Sequence, residues 1–218
     1  MEEALRRGFG VWAGIRSSSS RENLQDRKIH FLELDFAHPG ELCAQLSGHK
    51  ELYGKFDYNI HCARATKCVD KNDFERVNYR QTKCLVDTLL ELDMIPRQFV
   101  FISTLSVFGP IREKTYTPIT EKDTPVPNTA YGLSKLKAER YLQGIPDFPY
   151  VIYRPTGVYG PREKDYFLMA KSIRRHTDFS VGFRRQDLTL DYVKDIVQAV
   201  FLGIEKQISR RTYFLADG

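Results

Sequence analysis

The 218-residue sequence lacks a long hydrophobic run, because no stretch reaches the roughly 18 consecutive apolar residues that cross a membrane. Its first residues are charged, and no apolar segment of the kind found in secretory signals follows them. These two absences predict a cytoplasmic protein with no membrane partner. The length fits one domain, or one domain with a small additional lobe.

Cysteine is scarce, and its spacing suits neither a metal site nor a redox pair. The four cysteines are Cys43, Cys62, Cys68 and Cys84, and none of them belongs to a C-x-x-C motif. His61 lies next to Cys62, but the spacing of His61, Cys62 and Cys68 matches no zinc pattern. We therefore expect reduced thiols and no metal ion.

A concentrated positive charge is also missing. The formal net charge is +5, and the basic pairs are scattered along the chain and interleaved with acidic residues. Proteins that bind nucleic acids usually concentrate such residues on one face. The sequence therefore predicts no nucleic-acid partner.

What the sequence does contain is an alternation of strand-like and helix-like segments. The segment "RQFVFIST" (97–104) is almost wholly apolar, as strands of a parallel sheet are when both faces are buried. Segments 70–92 and 128–143 have helical patterns. The alternation predicts an α/β fold with a doubly wound, Rossmann-like parallel sheet. Strands are predicted at 10–16, 29–36, 56–63, 97–104, 148–155 and 211–216.

The stretch "AYGLSKLKAERYL" carries the main chemical signal. It places Tyr131 and Lys135 four residues apart on a helix, so both side chains leave the same face. A lysine ammonium next to a phenol lowers the phenol pKa, which suits proton exchange with an alcohol or carbonyl. Thr104 ends a buried strand, where open parallel sheets bind ligands. Tyr79 and Lys83 show the same spacing, and we interpret them as an exposed helix face.

Together, "STLSVFG", "YGLSK" and "RPTGVYGPRE" resemble the extended short-chain dehydrogenase/reductase family, the NAD-dependent epimerase/dehydratase group. The resemblance implies that Thr104, Tyr131 and Lys135 form the catalytic set. Tyr131 would be the acid/base, and Lys135 would lower its pKa and hold the nicotinamide ribose. Asn78, in "RVNYRQT", matches an asparagine that helps to organise the site; an ordinary polar helix position is the alternative.

The resemblance also implies a reaction and a cofactor. The expected reaction transfers a hydride between nicotinamide and a hydroxyl or keto carbon of a sugar nucleotide or another small substrate. In the expected site, Asp35 and Phe36 face the adenine, and the backbone of "HCARA" passes the cofactor, with Arg64 where a small residue is usual. The implied cofactor-binding residues are Arg16, Ser17, Asp35, Phe36, His61, Cys62, Ala63, Tyr131, Lys135, Pro155, Thr156 and Val158.

The predicted strand 10–16 corresponds to the second strand of the family, and the residue at its end affects the choice between NAD and NADP. An acidic residue there would bind a ribose 2′-hydroxyl, whereas an arginine such as Arg16 suits a 2′-phosphate. We therefore favour NADP over NAD. The alternative is a solvated arginine in a serine-rich loop.

The sequence departs from the family at its start. The family's first strand and glycine-rich turn are not found before "MEEALRRG". We expect a truncated chain, with an incomplete Rossmann-like domain at 1–157 and a partial substrate lobe at 158–218. Strands 10–16 and 56–63 would then lack their shared neighbour. A start codon placed too late, or a gap closed by the two halves or filled by another chain, are the alternatives.

The substrate region departs as well. Leu105 and Ser106 stand where the family's 4,6-dehydratases carry Asp-Glu, so that elimination is not expected. Leu188 and Gly157 replace an arginine and an asparagine that bind substrate in relatives. Among nearby cations, Arg162, Arg184 or Arg185 could compensate for the missing arginine. A reductase or dehydrogenase acting on a substrate without a nucleotide is therefore as plausible as an epimerase.

Two further expectations concern assembly and activity. Relatives often dimerise through the helices that correspond to 70–92 and 128–143, so a homodimer through these helices is expected. The alternative to an active oxidoreductase is a truncated, catalytically inactive member that acts only as a binding or structural module.

Overall fold

The computed structural model of the chain describes residues 1–110, 117–177 and 189–216. Strands and helices alternate along these ranges, which confirms the expected α/β class. The strands are β1 Val11–Ile15, β2 Ile29–Glu33, β3 Tyr58–His61, β4 Gln98–Ile102, β5 Tyr150–Pro155, β6 Gly157–Tyr159, β7 Leu190–Tyr192 and β8 Arg211–Leu215. The helices are α1 Glu2–Arg6, α2 Pro39–Tyr53, α3 Lys71–Glu75, α4 Gln81–Glu91, α5 Ala130–Gly144, α6 Asp165–Arg174 and α7 Val193–Glu205.

The largest sheet has four parallel strands in the order β3-β4-β5-β8. Successive residues of β4 and β5 point to opposite faces, and each face is covered by helices. Phe99 and Phe101 pack with residues of α2, α4 and α5, whereas Val100 and Val151 pack with α7. This arrangement is the doubly wound sheet that the sequence predicts, and it explains why β4 and β5 are almost continuously apolar.

Strands β1 and β2 form a separate parallel pair, with Val11 opposite Ile29. In the described ranges β1 pairs only with β2, and β3 pairs only with β4. Within the described ranges, no strand lies between β1 and β3 to join the two sheets. Phe9, just before β1, lies against Tyr58 of β3 and Phe201 of α7.

The segment 70–92 is not the single α-helix that its periodicity predicts. A π-helical turn, Arg76–Arg80, separates α3 from α4 and contains the buried Asn78. Helix α2 covers fifteen residues and ends at Tyr53. Residues 178–188 lie outside the described ranges, and β7 begins at Leu190. None of the described helices combines the length and apolar composition that crossing a membrane would need.

Candidate active site

Thr104 and Tyr131 meet at the carboxyl edge of the four-stranded sheet. Thr104 follows the end of β4, and its Oγ1 accepts a hydrogen bond from the backbone N–H of Ser106 at 3.2 Å. Tyr131 lies in the first turn of α5, where the Oγ1 of Thr129 caps the helix by accepting from Gly132 N at 3.0 Å. The Thr104 hydroxyl donates to Ser106 Oγ at 3.2 Å, and it lies close enough to the Tyr131 phenol to lower the phenol pKa. The structure thus brings together the two residues that the sequence proposed as partners.

Gly132 allows this close approach. A Cβ atom at residue 132 would overlap with the backbone oxygen of Ser106 and would lie 3.1 Å from the Cβ of Pro127. Any larger residue would push the start of α5 away from the short 3₁₀ turn that Leu105–Val107 forms after Thr104. The glycine after Tyr131 therefore has a packing reason that is visible only in the folded chain.

Lys135 lies one turn further along α5 and is buried, with 1% of its surface exposed. Its Nζ donates a hydrogen bond to the Ile102 carbonyl at 2.6 Å and lies 4.0 Å from the centre of the Phe101 ring. Burial lowers the pKa of Lys135 to about 7, while the charge of Glu139 acts in the opposite direction. The amine therefore changes its charge near neutral pH.

The pKa of Tyr131 is raised, because burial disfavours the phenolate. Two groups oppose this effect, first the charge of Arg64 and then the hydrogen bond from Thr104. The sequence predicts instead that Lys135 lowers the phenol pKa. In this structure Lys135 turns its Nζ to the Ile102 carbonyl, and Arg64 is the cation that favours the phenolate.

Asn78 is fully buried and fixes the loop that follows β3. Its Oδ1 accepts from Ala65 N at 2.8 Å, and its Nδ2 donates to Ala65 O and to Ser134 Oγ, both at 3.0 Å. Ser134 in turn donates to the Tyr131 carbonyl at 2.7 Å. The π-helical turn places this amide between the loop and α5, as such turns often do at functional sites. Asn78 therefore lies inside the protein and not on a solvated helix face.

His61 ends β3 as a buried residue of the core. Its Nε2 lies 2.9 Å from Thr82 Oγ1, and its ring is stacked near Phe99 and Phe101. Burial, together with the charge of Lys135, lowers the pKa of His61 to about 3, so the ring is neutral at physiological pH. Cys62 and Ala63 follow as exposed residues at the sheet edge.

The residues expected around the adenosine part of a cofactor lie at the ends of β1 and β2. Arg16 and Ser17 are exposed, and Arg16 N donates to Ser19 Oγ at 3.1 Å. The Asp35 carboxylate accepts from Ala37 N at 2.8 Å and lies 2.9 Å from a ring nitrogen of His38. His38 and Ala37 lower the pKa of Asp35. Phe36 is half-buried against the main core.

The segment after β5 is held by an aspartate that the sequence analysis did not single out. Thr156 donates through its backbone N and its Oγ1 to Asp191 Oδ2, at 2.7 and 3.0 Å. Pro155 is buried at the end of β5, and Val158 lies in β6 opposite Asp191. Asp191 belongs to "LTLDYVKD", the segment in which Leu188 departs from the family pattern. That segment is the sequence signal by which Asp191 could have been found. At Gly157 a Cβ would overlap with the Tyr166 hydroxyl, which explains the glycine.

A buried ion pair below the site was also missed. The carboxylate of Glu139 accepts from Arg154 Nη2 at 2.6 Å and from Ser103 Oγ at 2.5 Å. Glu139 is fully buried, and 8% of Arg154 is exposed. Its signal in the sequence was the four-residue spacing from Lys135, which puts Glu139 on the same helix face. The cluster ties α5 to the residue that precedes Thr104.

Of the arginines proposed to compensate for the missing arginine, only Arg162 lies in the described part of the chain. Arg162 pairs with Glu2 at 3.0 Å in an exposed ion pair. The expectations for Arg184, Arg185 and Leu188 fall outside the described residues. Within the described ranges, the histidine, cysteine and acidic side chains form no cluster of three that could hold a metal ion.

Solved structures share this fold over nearly the whole chain. The Thermus thermophilus UDP-glucose 4-epimerase in complex with NAD matches with a TM-score of 0.80 and 19% identity, over 100% of this chain and 73% of that chain. The Pseudomonas aeruginosa protein RMD in complex with NADPH matches with a TM-score of 0.68 and 22% identity, over 90% of this chain and 72% of that one.

Sequence relatives and a family profile give the assignment. The UDP-glucose 4-epimerase of Vibrio cholerae is 33% identical over 117 residues, which is 50% of this chain and 35% of the epimerase. The first curated relatives are thus covered over only about a third to less than half of their own length. Residues 1–216 match the profile of the NAD dependent epimerase/dehydratase family, and the chain therefore belongs to that family.

Proposed function

We propose that the protein is a nicotinamide-dependent oxidoreductase that interconverts a hydroxyl and a carbonyl group on a small substrate. The observation that supports this proposal most directly is the closeness of the Thr104 hydroxyl and the Tyr131 phenol at the carboxyl edge of the sheet, with Lys135 one turn away. A hydroxyl and a phenol that lie side by side can both contact a single substrate oxygen.

The roles of the side chains follow from their positions. Tyr131 Oη gives its proton to the substrate oxygen when a carbonyl is reduced, and takes the hydroxyl proton when an alcohol is oxidised. Thr104 donates a hydrogen bond to the same oxygen and orients it. The bound nicotinamide accepts or supplies the hydride. Arg64 favours the phenolate form of Tyr131 and so assists the oxidation direction.

The chemistry of Lys135 fits a nicotinamide ribose. Its Nζ carries up to three N–H donors, and within the described residues its hydrogen-bond acceptor is the Ile102 carbonyl. The remaining donors suit a pair of hydroxyl groups. In this proposal Lys135 holds the ribose, and the exposed backbone of Cys62 and Ala63 borders the cofactor. Pro155, Thr156 and Val158 border the nicotinamide. The two hydrogen bonds from Thr156 to Asp191 hold that segment in place.

The rest of the cofactor is assigned to the ends of β1 and β2. We infer that Asp35 and Phe36 flank the adenine and that Arg16 and Ser17 lie near the 2′ position of its ribose. Solved structures of similar fold contain NAD in one case and NADPH in another. The exposed Arg16 is the reason for favouring NADP.

The substrate class and assembly are part of the same proposal. The names of relatives, among them a UDP-glucose 4-epimerase and a GDP-6-deoxy-D-mannose reductase, favour a sugar nucleotide. A homodimer would use the outer faces of the helices in 70–92 and 128–143. Light scattering of the purified protein measures this assembly, and a single monomer mass at micromolar concentration would contradict it.

The first test is isothermal titration of the purified protein with NADPH and NADH, supported by thermal shift. We expect micromolar binding, lost in Lys135→Met and kept in Tyr131→Phe. Oxidation of UDP-, GDP- and dTDP-linked sugars is then followed at 340 nm, and Tyr131→Phe should abolish it. A folded protein that binds neither nucleotide would overturn the proposal and favour the inactive binding or structural module.

A further inference from the structure

Arg64 occupies a defined place next to the reacting side chains. It lies in the loop that leaves β3 at the carboxyl edge of the sheet, beside the strand that leads to Thr104. The residue that follows it, Ala65, is held through both its N–H and its C=O by the buried amide of Asn78. The backbone that presents Arg64 is therefore fixed to α5 through Asn78 and Ser134.

Within the described ranges, the cation of Arg64 is not neutralised by an acidic side chain. Arg64 is exposed, and among the described residues its guanidinium has no ion-pair or hydrogen-bond partner. The other cation of the same loop, Lys67, pairs with Asp165 at 2.8 Å. Burial raises the pKa of Tyr131 and of Cys62 and lowers that of Lys135, and the charge of Arg64 acts in the lowering direction on all three groups. The position of Arg64 in the loop beside the strand that leads to Thr104 agrees with this effect.

We propose that Arg64 forms an anion subsite of this centre, in which its guanidinium binds a phosphate or carboxylate group of the ligand that lies against Tyr131 and Thr104. The inference rests on the proposed function for the presence of that ligand. A guanidinium has a planar set of donors that matches either oxyanion in a bidentate manner. The backbone next to Arg64 is fixed by Asn78, and its guanidinium has no partner among the described residues. Arg64 can therefore bind such an oxyanion without first breaking another contact.

Two sources of such an anion are chemically equivalent at Arg64. One is the pyrophosphate of the dinucleotide, which would run past the loop of Cys62 and Ala63. The other is an acidic group on the substrate itself. Because both carry the same oxyanion chemistry, binding of inorganic pyrophosphate tests the subsite, and binding of the nucleotide then identifies the source.

The experiment compares wild type, Arg64→Ala and Arg64→Lys with Arg97→Ala as a matched control. Arg97 is also an exposed arginine, but it lies at the opposite edge of the sheet and pairs with Asp57 at 3.1 Å. Inorganic pyrophosphate, NADH and NADPH are titrated calorimetrically at low ionic strength. The midpoint of the Tyr131 phenol is followed by NMR with and without pyrophosphate, and circular dichroism checks that each variant is folded.

We expect pyrophosphate to bind wild type and Arg97→Ala, and to bind Arg64→Ala at least about tenfold more weakly, with Arg64→Lys between them. Pyrophosphate should raise the phenol pKa of wild type but not of Arg64→Ala, because it neutralises the cation. If Arg64→Ala weakens nucleotide binding equally, the anion is the cofactor pyrophosphate. If nucleotide binding is unchanged, the anion belongs to the substrate.

The failures of the two proposals are distinguishable. Equal pyrophosphate binding by wild type and Arg64→Ala, or none by either, would overturn the anion subsite even where the nucleotides bind. Binding of pyrophosphate through Arg64 by a protein that binds no nucleotide would support the subsite and contradict the proposed function.

Discussion

The carboxylate of Glu139 and the guanidinium of Arg154 form a bidentate ion pair in the interior, with Nε and Nη2 of Arg154 at 3.2 and 2.6 Å from Glu139 Oε2. Ser103 completes the hydrogen bonding of the same carboxylate. Glu139 lies one helical turn from Lys135, and the pair contacts Ser103, the residue that precedes Thr104. It connects the stability of the fold with the charge of the site, because the charge of Glu139 raises the pKa of Lys135.

Removing the charge of Glu139 tests this connection. In Glu139→Gln we expect the pKa of Lys135 to fall below about 7, since burial is then less opposed. NMR of protein labelled at the lysine Cε measures the midpoint, with Lys135→Met to assign the signal. Glu91→Gln, which alters an exposed carboxylate, should leave it unchanged. An unmoved midpoint in Glu139→Gln would show that the ion pair is only structural.

The same substitution should also destabilise the protein. Glu139→Gln leaves Arg154 buried without its counter-charge, which costs about 3 kcal/mol in the free energy of unfolding. The double variant Glu139→Gln/Arg154→Met removes both charges and should recover most of this loss. Urea unfolding of the single and double variants measures the difference, and equal stabilities would contradict the account.

Asn78→Ala should loosen the loop that carries Arg64. The change removes three hydrogen bonds and leaves the backbone groups of Ala65 unpaired, so we expect a loss of about 3 kcal/mol in unfolding free energy. Hydrogen exchange at residues 62–68 should become faster before global unfolding. Asn72→Ala, at an exposed position of α3, is the control and should change neither quantity.

Two glycine-to-alanine substitutions should have opposite signs. Gly132→Ala forces a Cβ against the Ser106 carbonyl and should cost about 2 kcal/mol. It should also weaken the contact between Thr104 and Tyr131. Gly48→Ala lies inside α2 with open space around the new methyl group, and should stabilise the protein by about 1 kcal/mol. Thermal and urea unfolding measure whether each substitution raises or lowers the free energy of unfolding.

Stability should depend on pH through His61 and His49. Burial is the main cause that lowers the pKa of His61 to about 3, and burial also lowers that of His49. The unfolded state therefore binds more protons than the folded state below pH 6.5. His61 adds up to about 1.4 kcal/mol of lost stability per pH unit as the pH falls from 6.5, and His49 contributes in the same direction.

Urea unfolding between pH 8 and about pH 5.5 measures this dependence, because most carboxylates titrate below that range. His61→Gln should reduce the slope of stability against pH, whereas His30→Gln, at an exposed position, should not. A slope that is identical in His61→Gln and wild type would contradict the assignment.

The preference for NADP should depend on Arg16. Arg16→Ala removes the cation proposed to meet the 2′-phosphate, so NADPH binding should weaken about tenfold while NADH binding stays the same. Arg27→Ala, at an exposed position in the loop before β2, is the matched control. If Arg16→Ala weakens the binding of NADPH and NADH equally, or weakens neither, Arg16 does not contact the 2′-phosphate.

Much of the fold could be predicted from local patterns. The apolar run of β4 and the alternation of strands and helices reflect burial of neighbouring residues, so the class of the fold was recognisable. The interruption of 70–92 was not predictable, since periodicity cannot distinguish an α-helix from one with a π-helical turn at Asn78. That turn depends on partners elsewhere in the chain.

The sequence by itself determined the class of fold, and it predicted the set Thr104, Tyr131 and Lys135, because a buried strand end and a four-residue helical spacing are local features. Only the tertiary structure decided which groups act on them. Asn78 meets Ser134 across 56 residues, and Arg154 meets Glu139 across 15. In the folded chain, Lys135 Nζ donates to the Ile102 carbonyl, and the charge of Arg64 opposes the rise in the pKa of Tyr131. Burial and electrostatic contacts between distant segments set these relations, and they arise only when the chain folds.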